Sequence, residues 1–123
     1  MPDPVSLQRG APVTTVLLVQ DHKVTATVDT GAMLTILDTA EANRMEVRAV
    51  SRAELATMDW QGNHTVQVVG VSEQLRFASG TSSTIAKVVI ADLGAEQPPI
   101  LLGTDLLPKL GIVVSDKAST YLT

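Results

Sequence analysis

Val28-Asp29-Thr30-Gly31-Ala32 is the stretch best suited to chemistry. An aspartate on a short, stiff loop offers a carboxylate as acid or base. Gly31 permits backbone angles closed to other residues. Thr30 adds a hydroxyl able to hydrogen-bond beneath the turn. Asp-Thr-Gly after a strand also makes an ordinary turn, since Asp and Gly are frequent turn formers. A distant segment shifts the balance towards chemistry: Pro99-Ile100-Leu101-Leu102-Gly103-Thr104-Asp105-Leu106-Leu107, an apolar strand, a glycine and a capped helix start.

Strands must position such a loop. Lys23 to Val28 alternates, with Val24, Ala26 and Val28 on one face, as a half-buried strand does. Val13 to Val19 precedes it, and Gln20-Asp21-His22 turns the pair into a hairpin. Thr35-Ile36-Leu37 reads as a buried strand behind the loop. Asp38-Thr39-Ala40-Glu41 has capping-box spacing and predicts a short helix ending near Met45. Ser51-Arg52-Ala53-Glu54 repeats that spacing. His64 to Val69 and Leu75 to Phe77 read as strands, then Thr84 to Ala91. Asp92 to Pro99 is a polar loop. Thr104 caps a predicted helix over Asp105 to Leu110, with Pro108 in its first turn and Gly111 at its end. Ile112-Val113-Val114 is a further strand, and Ala118 to Leu122 another.

Composition narrows the classes. The 123 residues fit one domain, with residues 1–12 as an N-terminal arm and 115–123 as a C-terminal extension. Hydrophobic residues make up 45% but aromatics only 2%, so Val, Leu, Ile and Ala must build the core, a mix that favours sheet. A net charge of −4 speaks against nucleic-acid binding. No apolar run approaches the roughly 18 residues of a membrane span, and no secretory signal is visible. Absence of cysteine excludes disulfides and thiolate catalysis. His22 and His64 are too few for a zinc site without cysteine. No metal or cofactor is expected. A Ser-His-Asp triad lacks a nucleophile elbow. Asn63-His64-Thr65 is a coincidental acceptor motif, and Asp92-Leu93-Gly94 reads as a turn rather than a second acid.

Together, Asp29-Thr30-Gly31-Ala32 and Ile100-Leu101-Leu102-Gly103 resemble the retroviral-type aspartic proteases, the retropepsins. The likeness runs from about Val13 to about Val114. It implies an all-β fold: a closed barrel forming an acid-protease half-lobe, with one short C-terminal helix. It implies an endopeptidase in which Asp29 is catalytic and Thr30, Gly31 and Ala32 form the active loop. Peptide hydrolysis of this kind needs two carboxylates about 3 Å apart that share a proton. One Asp-Thr-Gly in so short a chain means that a second copy supplies the other, in a two-fold homodimer. In the family the hydroxyl at Thr30 braces the dimer, and terminal strands interleave, here the arm before Val13 and Ile112 to Val114. A glycine-containing flap closes over the substrate. Val69, Gly70, Val71 and Ser72 are the preferred flap here, on a hairpin of Val66–Val69 with Leu75–Phe77, and Gln61-Gly62-Asn63 is the competitor. Ile100 is expected nearest the pocket. Many viral members pair an Asp after the position of Ala32 with an Arg after that of Gly103. Met33 and Thr104 stand there instead, which points to a different dimer brace.

The expected role is processing of a retroviral or retrotransposon polyprotein, within a precursor in virion or host cytoplasm. The alternatives are a catalytically silent retropepsin-like dimerisation or peptide-binding module, and a small structural barrel without a site.

Overall fold

The computed structural model describes residues 13–52, 57–60, 64–94, 97–114 and 120–122. The N-terminal arm and most of the C-terminal extension lie outside these residues. The hairpin predicted at the start is formed by β1 (Thr14–Val19) and β2 (His22–Val28). Its two-residue turn places Gln20 at φ 50° and Asp21 at φ 69°. Two left-handed residues match the right-handed twist of the flanking strands. Arg76 supports this turn by accepting from the Gln20 N–H through its carbonyl and donating its own N–H to Gln20 Oε1.

Beyond the Asp29 loop, β3 (Ile36–Asp38) runs into α1 (Thr39–Arg44). Asp38 caps α1, accepting from the Ala40 N–H at 3.1 Å, but the reciprocal half of the expected capping box is not formed, because Glu41 pairs with Arg44 and the Asp38 N–H donates to the Pro99 carbonyl. The chain continues through β4 (Ala49–Ser51), β5 (Thr57–Trp60), β6 (His64–Ser72), β7 (Leu75–Ser79), β8 (Ser82–Ala86), β9 (Val89–Asp92) and β10 (Ile100–Leu102). After β10 come a 3-10 turn at Pro108–Leu110, β11 (Ile112–Val114) and β12 (Thr120–Leu122). Strands β1 to β10 form one sheet in the order β4-β6-β9-β3-β10-β2-β1-β7-β8, with β5 also on β6. This mostly β half-barrel is the predicted fold. β11 and β12 pair separately, antiparallel.

Apolar residues divide between the faces of the central strands. The main core gathers Leu17, Val19, Val24, Ala26, Leu37, Leu75, Phe77, Ile100, Leu102 and Leu106. A smaller cluster joins Ile36, Val66, Ala91, Leu93 and Leu101, with Ala32, Val68 and Val89 against it. Alternation along β3 and β10 makes this split, because successive side chains leave opposite faces of a strand.

Three expectations need correction. The stretch Thr84 to Ala91 is two strands, since the chain leaves β7 after Ala86 and joins β6 at Val89. Ser72 marks the crossing: its Oγ accepts the Val88 N–H at 3.0 Å and its N–H donates to the Val88 carbonyl. Second, the predicted helix over Asp105 to Leu110 is a run of turns ending in the 3-10 turn, with Gly111 left-handed at φ 68°. Pro108 has no N–H to donate to Thr104, so a regular α-helix loses a bond there. Third, β6 does not pair with β7. Val66 to Ser72 is one continuous strand lying between β9 and the β4 and β5 strands. The repeated cap spacing at Ser51 falls partly outside the described residues; β4 ends at Ser51.

Candidate active site

β2 delivers Asp29, and β10 fixes where it arrives. The two strands are parallel, with Val28 opposite Leu102. The ladder extends one step further, as the Asp29 N–H donates to the Leu102 carbonyl at 2.9 Å. The loop then folds back on itself. Gly31 N–H donates to Asp29 Oδ1 at 2.9 Å, and Ala32 N–H to the Asp29 carbonyl at 3.2 Å. Asp29 is half-buried, whereas Thr30 and Gly31 are exposed. A fixed carboxylate with one oxygen already bonded is oriented before any substrate arrives, which is how a rigid scaffold aims an acid or base.

The segment after β10 locks the loop from beneath. A Cβ on Gly103 would lie 2.6 Å from both the carbonyl carbon and oxygen of Leu34 and 2.9 Å from the Ala32 carbonyl oxygen. Only glycine allows that approach. Next to it, Thr104 N–H donates to the Ala32 carbonyl at 2.8 Å. Thr35 completes the lock. Its Oγ1 accepts from Gly103 N–H at 3.0 Å and donates to Asp105 Oδ1 at 2.7 Å, while its N–H donates to Asp105 Oδ2 at 3.1 Å. Thr35 is 1% exposed. The hydroxyl beneath the turn therefore belongs to Thr35 and not to Thr30, which faces solvent. Sequence reasoning placed Thr35 in a buried strand and Asp105 in a helix start, and did not join them. Their signal is polarity: a threonine opening an apolar strand and an acid two residues after the close-approach glycine.

The other expected site residues are dispersed. Ile100 is 0% exposed and sits in the main core. Leu101 is the β10 residue that shares a cluster with Ala32. Gly70 and Ser72 are buried within β6, so neither stands at a hairpin tip. A Cβ on Gly70 would meet the Ser51 carbonyl oxygen at 2.7 Å and Ala49 Cβ at 2.9 Å, so this glycine serves the close passage of β4. Val69 is exposed and Val71 partly so, both within the strand. β5 and β6 pair antiparallel with Trp60 opposite His64; the competing turn Gln61-Gly62-Asn63 lies outside the described residues. Met33 is 80% and Leu34 46% exposed, giving the loop an apolar outer edge.

Half-barrel and loop together define a retropepsin-like aspartic protease lobe. Residues 15–109 match the family described as "gag-polyprotein putative aspartyl protease", and the chain belongs to that family. No curated protein sequence matches it. Among solved structures it is similar to EIAV protease complexed with the inhibitor HBY-793, at TM-score 0.66 and 24% identity over 85% of this chain and 92% of that one. It is also similar to the retroviral protease-like domain of Ddi1 from Leishmania major, at TM-score 0.61 and 15% identity over 86% and 82%. A retropepsin-like aspartic protease from Rickettsia conorii aligns at TM-score 0.54 and 16% identity over 88% and 80%. At these identities the three structures share the fold.

Proposed function

We propose that this chain is an aspartic endopeptidase active as a homodimer. The observation that carries the reading is the single Asp29-Thr30-Gly31 loop, held rigid from below by Gly103, Thr35 and Asp105. Two such loops meeting on a two-fold axis bring two Asp29 carboxylates together. One carboxylate takes a proton from water, whose oxygen attacks the peptide carbonyl carbon. The other donates a proton to the carbonyl oxygen, and collapse of the resulting diol breaks the C–N bond as the amine takes a proton. Pairing of like charges keeps one proton on the dyad and separates the two roles.

The β5–β6 hairpin serves as the flap over the substrate. Its support is the antiparallel ladder from Thr57 opposite Gln67 to Trp60 opposite His64. Polyprotein processing from within a retroviral or retrotransposon precursor is the physiological role, supported by the family to which the chain belongs. A second reading is a silent dimerisation or peptide-binding module, since the likeness to the Ddi1 domain is one of fold alone.

Cleavage of a peptide library at mildly acidic pH separates the two readings. The purified chain should cut, and Asp29→Asn should fold but not cut, because an amide cannot act as base or hold the shared proton. Hydrolysis by Asp29→Asn at the parent's rate would sink the assignment, and binding without hydrolysis by the parent would establish the module.

A further inference from the structure

Asp38 makes contacts that helix capping does not account for. The carboxylate is nearly buried, at 9% exposure for the residue. Oδ2 accepts the Ala40 N–H at the start of α1. Oδ1 turns the other way and accepts the Leu93 N–H at 2.8 Å, a buried bond between residues 55 apart. The Asp38 N–H itself donates to the Pro99 carbonyl at 2.9 Å. Leu93 and Pro99 are the two ends of the connection from β9 to β10.

Topology explains why one residue reaches both ends. β3 lies between β9 and β10, parallel to the first and antiparallel to the second. The connection must therefore step over the end of β3, and Asp38 is the last residue of that strand. Gly94, at φ 97°, turns the chain immediately after Leu93, and the Gln97 N–H closes onto the Gly94 carbonyl at 3.2 Å. Leu93 is 6% exposed and packs in the smaller cluster with Leu101, Ile36 and Ala32. Ala32 is the residue directly after the catalytic Asp-Thr-Gly. A side chain at the far end of the clamp thus shares its packing with the active loop.

We infer that Asp38 is a positioning residue for the substrate cleft: it bonds both ends of the 93–99 connection and so holds Leu93 in the small apolar cluster against which Ala32 packs. The inference rests on the proposed peptidase. A backbone N–H bonded to a buried carboxylate is a strong, charge-assisted bond. Its loss frees the Leu93 end of the connection, while the β3 and β10 ladders keep the strands in register.

Asp38→Ser separates this role from capping. Serine caps helices about as well as aspartate, but its shorter side chain cannot span to Leu93. Asp38→Ala removes both functions. Melting temperature should then follow the cap, with Ser above Ala. The KM for a cleavable peptide should follow the clamp, rising about tenfold in both variants with kcat little changed, the size expected when one apolar contact supporting the site is lost. Amide hydrogen exchange at Leu93 should quicken in both variants. Should Asp38→Ala fail to fold, Asp38→Ser alone carries the comparison. Unchanged KM in Asp38→Ser with faster Leu93 exchange would overturn the inference, as would unchanged exchange. Cleavage by the parent chain and its loss in Asp29→Asn judge the proposed activity separately. If the parent cuts nothing, affinity for a peptide mimic with a central hydroxyl replaces KM, and the same outcomes decide.

Discussion

Thr35 and Asp105, 70 residues apart in sequence, are joined twice: Oγ1 to Oδ1 at 2.7 Å and N–H to Oδ2 at 3.1 Å. The same Thr35 hydroxyl accepts the Gly103 N–H. Because the hydroxyl both donates and accepts, the three groups form a linked set beneath the Asp29 loop. Breaking such a set costs more than one bond, since the buried Gly103 N–H loses its acceptor at the same time.

Thr35→Val keeps shape and removes the hydroxyl. It should destabilise the fold by about 1–3 kcal/mol. Peptidase activity should fall further than the folded fraction does, because the loop carrying Asp29 loses its floor. Thr35→Ser should restore most of both. Urea unfolding and peptide hydrolysis on the same samples measure the two effects. Equal activity per folded molecule in Thr35→Val would show that the bond stabilises without orienting.

Gly103→Ala tests the close approach directly. The new methyl would press on backbone atoms of Leu34 and Ala32 at 2.6 and 2.9 Å, and backbone cannot rotate aside as a side chain does. Overpacking of this kind costs about 1–3 kcal/mol or more. The displaced atoms belong to the loop following Asp29, so kcat should drop steeply in whatever fraction stays folded. Thermal melting and single-turnover hydrolysis check both parts.

Gly70→Ala distinguishes two views of β6. With Gly70 beneath β4, alanine should lower stability by about 1–3 kcal/mol through its clash with Ser51 and leave KM nearly unchanged. A glycine at a flap tip would give the reverse, a changed KM with little loss of stability. Denaturant midpoints beside Michaelis kinetics decide between them.

These cases show what the sequence made legible. Local periodicity carried the β1–β2 hairpin, the strand behind the loop and the Asp38 cap, because each depends on neighbours within a few residues. Ile100 and Leu101 could not be told apart, since β10 is buried on both sides and offers no polar alternation to mark its faces. Gly70 read as a turn because glycine signals both turns and close backbone approach. The bonds from Thr35 to Asp105 and from Asp38 to Leu93 cross 70 and 55 residues. No spacing rule reaches that far, so the supports of the site emerged only from the fold.

The two-chain active site has a quantitative test. Parent and Asp29→Asn chains, mixed in equal amounts, unfolded together and refolded, should pair at random. About a quarter of the dimers then hold two intact aspartates, by the statistics of a two-fold assembly. Activity should fall to roughly that fraction of an all-parent sample, where a self-sufficient chain would keep about half. The mixture must stay well above the dimer dissociation constant, because dilution alone lowers activity. Retention of half, with exchange of chains confirmed by mass, would refute the shared site.

The parallel pairing of β2 with β10 also bears on when a chain acquires its chemistry during synthesis. Asp29 is made early, yet its N–H, the Ala32 carbonyl and the Thr35 hydroxyl all find partners between Leu102 and Asp105. At a ribosomal pace of roughly 5–20 residues per second, those partners follow the aspartate by about 4 to 15 s. Until then a nascent chain carries the acid without the scaffold that aims it. On the proposed activity, a product truncated before residue 100 would be inert for the same reason, so the fold would delay proteolysis until residues 102–105 have been translated.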